Sequence, residues 1–99
     1  IKTPAYDLNS IKSSIRSIDE LRMTGSARVT MVGLGFHEQD VINVIKAMTP
    51  SDFYKSMKPT NPGFKSWQDV YRPFYKGVEL YMKFQLGQSG QIVISFKEK

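Results

Sequence analysis

The chain has 99 residues and carries 14 Lys plus Arg against 9 Asp plus Glu, a formal net charge of +5, with no cysteine and one histidine. That length holds one core and not two. The cysteine count excludes disulfides, thiolate metal sites and Cys nucleophiles, and a lone histidine makes a zinc site within the chain very unpromising. No apolar run approaches the roughly 18–20 residues that cross a bilayer, and the start has no leader-like segment, so a cytoplasmic protein without membrane contact is expected.

Leu8, Ile11, Ile15 and Ile18 recur at the spacing of an amphipathic helix, with Asp7 placed to cap its first N–H groups. A short extended stretch is expected around Leu21-Arg22-Met23. A weaker helix follows over 26–34, ended by Gly33 or Gly35. The next helix is clearer: Glu38 and Asp40 lie near its positive end, Val41, Ile42, Val44, Ile45 and Met48 form its apolar side, and Pro50 stops it.

From Ser51 the period changes to two. Phe53, Lys55 and Met57 are expected on one face of a strand, with Asp52, Tyr54 and Ser56 on the other. Lys58-Pro59-Thr60-Asn61-Pro62-Gly63 reads as a flexible, turn-rich loop. A second strand is expected over Trp67–Arg72, closed by Pro73, and Tyr75-Lys76-Gly77 as a turn. Val78, Leu80, Met82, Phe84 and Leu86 then alternate with Glu79, Tyr81, Lys83 and Gln85. Gly87-Gln88-Ser89-Gly90 is a tight connection to a last strand with Ile92, Ile94 and Phe96 on its apolar face. Helices first and an antiparallel meander last predict an α+β fold, helices packed on one sheet face, in a single domain spanning 1–99.

If the strands pair in sequence order, Lys55, Gln68, Arg72, Tyr81 and Lys97 converge on the other, exposed face, with Lys83 beside Tyr81. A polar sheet face taken alone is more often simply solvated. The chain lacks paired carboxylates, a Ser-His-Asp set and a glycine-rich phosphate loop. What it offers is cations, a tyrosine and a glutamine, which suit metal-free RNA cleavage by the ribose 2′-hydroxyl. His37 lies away from this cluster and reads as a surface residue, and Trp67 as a core residue.

Three blocks carry a family likeness: Ser51-Asp52-Phe53-Tyr54-Lys55-Ser56-Met57, Trp67-Gln68-Asp69-Val70-Tyr71-Arg72-Pro73 and Ile92-Val93-Ile94-Ser95-Phe96-Lys97-Glu98-Lys99. With looser matches at Thr3-Pro4, Asn43-Val44-Ile45 and Tyr81-Met82-Lys83, the chain resembles the MqsR family of toxin–antitoxin toxins. The resemblance implies a RelE-like fold and a ribosome-independent endoribonuclease that cuts mRNA at GC-containing sites and so arrests growth. It implies catalytic roles for Lys55, Gln68 and Tyr81; substrate binding is expected of Arg72, Lys97 and Lys83 on the same surface. No cofactor or metal is implied in this chain. The implied partner is a cognate antitoxin that carries its own zinc. Two positions depart from the family: Ala5-Tyr6 follows the Thr-Pro start where a histidine is common, and Gln88-Ser89-Gly90 replaces a hairpin histidine. A non-catalytic nucleic-acid-binding domain of the same fold is the alternative.

Overall fold

The computed structural model describes residues 3–58, 66–87 and 90–99. Helix α1 is Leu8–Ser14, opened by the Asp7 carboxylate accepting from the Ser10 N–H at 2.9 Å. It buries Ile11, and Ile15 follows at its end in the core. The stripe stops there. Ile18, expected on it, starts a short 3-10 turn and is 43% exposed, because the helix ends before its register can reach the core.

Helix α2 is Gly25–Gly33, capped by Thr24, whose hydroxyl accepts from the Ala27 N–H. It buries Ala27 and Met31 and leaves Val29 and Val32 in solvent, which explains its weak pattern. Helix α3 is Glu38–Ala47, and the Asp40 carboxylate accepts from the His37 N–H at 2.8 Å to close its first turn. Val41, Ile42, Val44 and Ile45 are buried, as the sequence pattern requires.

Five strands follow: β1 Phe53–Met57, β2 Gln68–Tyr71, β3 Phe74–Tyr75, β4 Val78–Leu86 and β5 Ile92–Glu98. All named pairings are antiparallel, with β4 central: β2 on one edge, β5 on the other, and β1 outside β2. β3 was not expected from the sequence. Pro73 interrupts the ladder, and β3 resumes pairing along the β2 edge of β4. Its two-residue turn to β4 holds Lys76 and Gly77 at φ 51° and 78°, the left-handed geometry that matches strand twist. The Leu21–Met23 stretch is extended as expected. Met23 forms a parallel bridge to Ile94, whose N–H donates to the Arg22 carbonyl and whose carbonyl accepts from Thr24.

The core lies between the helices and one sheet face. Tyr71, Leu80, Met82, Phe84, Ile94 and Phe96 meet Ile11, Ile15, Leu21, Met31, Ile42 and Ile45 there. The alternation read for β4 and β5 therefore holds, although Leu86 emerges at the strand end. Of the loop expected over 58–63 only Lys58 is described, and Gln88 and Ser89 of the expected hairpin likewise fall outside the described residues. Among the described residues no helix is long and apolar enough to cross a membrane.

Candidate active site

The second face of the sheet is built by register. Lys55 stands opposite Val70, Val70 opposite Lys83, and Lys83 opposite Ser95, so four strands place these positions in one row across the sheet. One pair along β4, Tyr81 stands opposite Lys97. Side chains two apart share a face, so Lys55, Arg72, Tyr81, Lys83 and Lys97 are brought together on one side. Val70 is fully buried within this row, with part-buried Lys55 and Lys83 on either side of it in register.

One correction to the sequence pattern creates the site. The register shifts between Phe53 and Lys55, a β-bulge. Phe53 pairs with core-facing Tyr71 and packs against the core, while Lys55 pairs with Val70 on the open side. Phe53 therefore does not share a face with Lys55, and Tyr54 is not opposite to it. A bulge adds one residue to a strand and flips the alternation beyond it. No sequence signal marks that position; the buried Ser56 and the core-packed Phe53 reveal it only in the fold.

Tyr54 thus becomes part of the site, although alternation assigned it elsewhere. It is 44% exposed. The Lys55 ammonium lies 5.1 Å and the Arg72 guanidinium 4.9 Å from its ring centre, within cation–π range. Tyr81 meets it edge-on at 5.8 Å, and the Lys97 ammonium lies 5.8 Å from the Tyr81 ring. One continuous chain of contacts therefore runs from Lys55 to Lys97. Beside it is a shallow cleft lined by Ser51, Asp52, Phe53, Tyr54, Arg72 and Glu79.

Charge on this face is only partly compensated among the described residues. Glu79 carries the carboxylate here, and it is engaged by Arg72 at 3.4 Å and Lys99 at 3.5 Å. Lys55, Lys83 and Lys97 make no ion pair or hydrogen bond among the described residues. Burial, then the Lys97 and Lys55 charges, push the Lys83 ammonium below the usual lysine pKa. Burial, with the neighbouring Tyr54, pushes the Tyr81 hydroxyl up, against a smaller downward pull from Arg72. Tyr81 accordingly keeps its proton at neutral pH.

Gln68 differs from expectation. It lies on this side of the sheet but is only 7% exposed, and its amide donates to the Gln85 side chain at 2.6 Å. Its Oε1 is buried without a partner among the described residues. Gln68 is therefore a supporting, buried member of the face rather than an exposed one. Trp67 is part-buried outside the core cluster, and its carbonyl accepts from the Tyr6 hydroxyl at 2.6 Å. His37 sits exposed at the start of α3, as a surface residue should. Among the described residues no group of three or more His, Cys, Asp or Glu is arranged to hold a metal ion. The face can bind a polyanion, supply a protonated hydroxyl and offer an aromatic ring for stacking.

Residues 3–98 match the family model described as motility quorum-sensing regulator, toxin of MqsA. The chain is also 36% identical over 98 residues to the mRNA interferase toxin MqsR of Escherichia coli (strain K12), an alignment covering 99% of this chain and 97% of that protein.

Proposed function

This chain belongs to the MqsR toxin family, and from that premise we propose that it is an endoribonuclease that cleaves mRNA at GC-containing sites without a metal, arresting translation and growth in the cytoplasm. The observation that carries the reading is the cluster of Lys55, Lys83 and Lys97, without ionic partners among the described residues, beside Tyr81 on an open sheet face. A merely solvated face gains nothing from like charges held together, whereas a phosphodiester backbone neutralises them.

The steps follow from the side chains. Lys55 and Lys97 clamp the phosphate flanking the cut. Arg72, whose planar fork matches phosphate oxygens, stabilises the charge that builds on the phosphorane. The 2′-oxygen attacks the adjacent phosphorus, the bond to the 5′-oxygen breaks, and Tyr81 donates its proton to that leaving oxygen. Gln68, braced against Gln85, positions the strand. Tyr54 stacks a neighbouring base, its ring already flanked by the cations that hold the backbone.

Incubating the purified chain with an mRNA in EDTA and mapping the ends tests this. The expected products carry a 2′,3′-cyclic phosphate or 3′-phosphate and a 5′-hydroxyl; cleavage that needs added magnesium would remove the mechanism. The family description also supports a partner of the MqsA type. We propose that this antitoxin neutralises the chain by tight binding and that any zinc in the complex belongs to the antitoxin. Growth arrest persisting despite complex formation would contradict that.

A further inference from the structure

The reaction needs a group that removes the 2′-hydroxyl proton, and neither the clamp nor the proton donor supplies it. Lys83 occupies the centre of the open face. β4 is the middle strand, Val70 and Ser95 flank Lys83 directly, and Lys55 lies one strand beyond Val70. The side chain is part-buried where Lys97 is exposed, and it makes no hydrogen bond or ion pair among the described residues. The charged and titratable groups on this face are Tyr54 and Lys55 from β1, Arg72 after β2, Glu79 and Tyr81 on β4 itself, and Lys97 and Lys99 from the β5 side; Asp52 lies in the adjoining cleft, its carboxylate accepting from Thr49. Glu79, four residues along the strand, is roughly 13 Å away and already taken by Arg72 and Lys99. Lys83 is therefore a part-buried amine among cations, with no carboxylate paired to it among the described residues.

Building on the endoribonuclease reading above, we propose that Lys83 is the proton acceptor of the reaction, its neutral amine taking the proton of the attacking 2′-hydroxyl. The surroundings favour that neutral form: burial first, then the charges of Lys97 and Lys55. The Nζ lone pair takes the 2′-OH proton, the 2′-oxygen bonds to phosphorus, the bond from phosphorus to the 5′-oxygen breaks, and Tyr81 passes its proton to that oxygen. Lys83 then leaves the cycle as ammonium and Tyr81 as phenolate, and exchange with water restores both. Protons balance, and no oxidant or second substrate enters.

Lys83→Arg keeps the stem and the charge but cannot deprotonate at working pH. Single-turnover cleavage should fall by about 10²-fold or more, with RNA affinity in a filter assay retained. The wild-type rate should rise with pH along a limb set by Lys83, and that limb should disappear in Lys83→Arg. Lys97→Met, which removes a repelling charge, should move the limb to higher pH. A readout independent of cleavage is the Nζ resonance of Lys83 in the folded chain, which should titrate below the ordinary lysine value of about 10.4. A Lys83→Arg variant with wild-type rate and profile, or a Lys83 amine titrating at or above that value, would overturn the assignment. The two readings separate cleanly: a wild-type chain that does not cut RNA removes both, whereas cutting by both wild type and Lys83→Arg removes only the role of Lys83.

Discussion

On the helix-covered face of the sheet the fully buried Asp69 carboxylate accepts from the Ala5 and Tyr6 N–H groups at 2.9 Å and from the Ser56 hydroxyl at 2.8 Å, whereas on the open face Lys55, Lys83 and Lys97 have no ionic partner among the described residues. Asp40 shows the same contrast, its carboxylate held by the His37 N–H, the Tyr75 hydroxyl and the Lys76 ammonium. Buried charge with both carboxylate oxygens engaged ties segments together; Asp69 pins the chain entering α1 to β1 and β2. Charge left unpaired and partly in solvent lowers stability by self-repulsion, which a polyanionic ligand would relieve. The two faces of one sheet thus divide structure from chemistry, and substitutions on them should have separable effects.

The largest effects belong to the covered face. Phe84→Ala should cost about 3–5 kcal/mol of unfolding free energy in urea, because a fully buried ring leaves a cavity. Asp69→Ala should cost about 3 kcal/mol, since two backbone N–H groups and a hydroxyl lose their acceptor. Either variant cleaving less than its folded fraction allows would blur the division. On the open face Tyr81→Phe should slow cleavage by about 10²-fold and leave the urea midpoint in place. A slowed Tyr81→Phe with a lowered midpoint would point to structure instead. Tyr54→Ala should weaken RNA binding by about 1–3 kcal/mol through lost stacking, read as a higher KM with little change in kcat.

A last effect is pH-dependent. The backbone N–H of His37, then Tyr75 and Lys76, hold the Asp40 carboxyl well below its ordinary value. A group depressed on folding stabilises above its unfolded pKa and loses that contribution as pH falls. The Tm gap between wild type and Asp40→Asn should therefore be constant near neutrality and begin to close below about pH 4. A gap that widens on acidification would contradict the assignment.

Periodicity made most of this legible. The apolar stripes of α1 and α3 and the alternation of β4 and β5 are driven by burial, which leaves its imprint on every second, third or fourth residue. The convergence of Lys55, Arg72, Tyr81, Lys83 and Lys97 followed from pairing those strands in order. What escaped the pattern was local. The bulge before Lys55 depends on how β1 fits β2, so alternation alone put Phe53 on the wrong side and hid Tyr54. β3 is two residues long, below any detectable period. Gln68 alternates like an exposed residue, yet Gln85 on the next strand covers it, a tertiary pairing that no single segment encodes.

The division of the two faces is tested most directly by the double variant Lys55→Met/Lys97→Met, assayed for single-turnover mRNA cleavage and urea unfolding on the same preparation. Removing two unpaired cations should lower cleavage by about 10²-fold or more while the unfolding midpoint stays in place or rises, because repulsion is relieved. A double variant that cleaves at the wild-type rate, or that loses activity only in step with its fold, would contradict the claim that this face performs the chemistry.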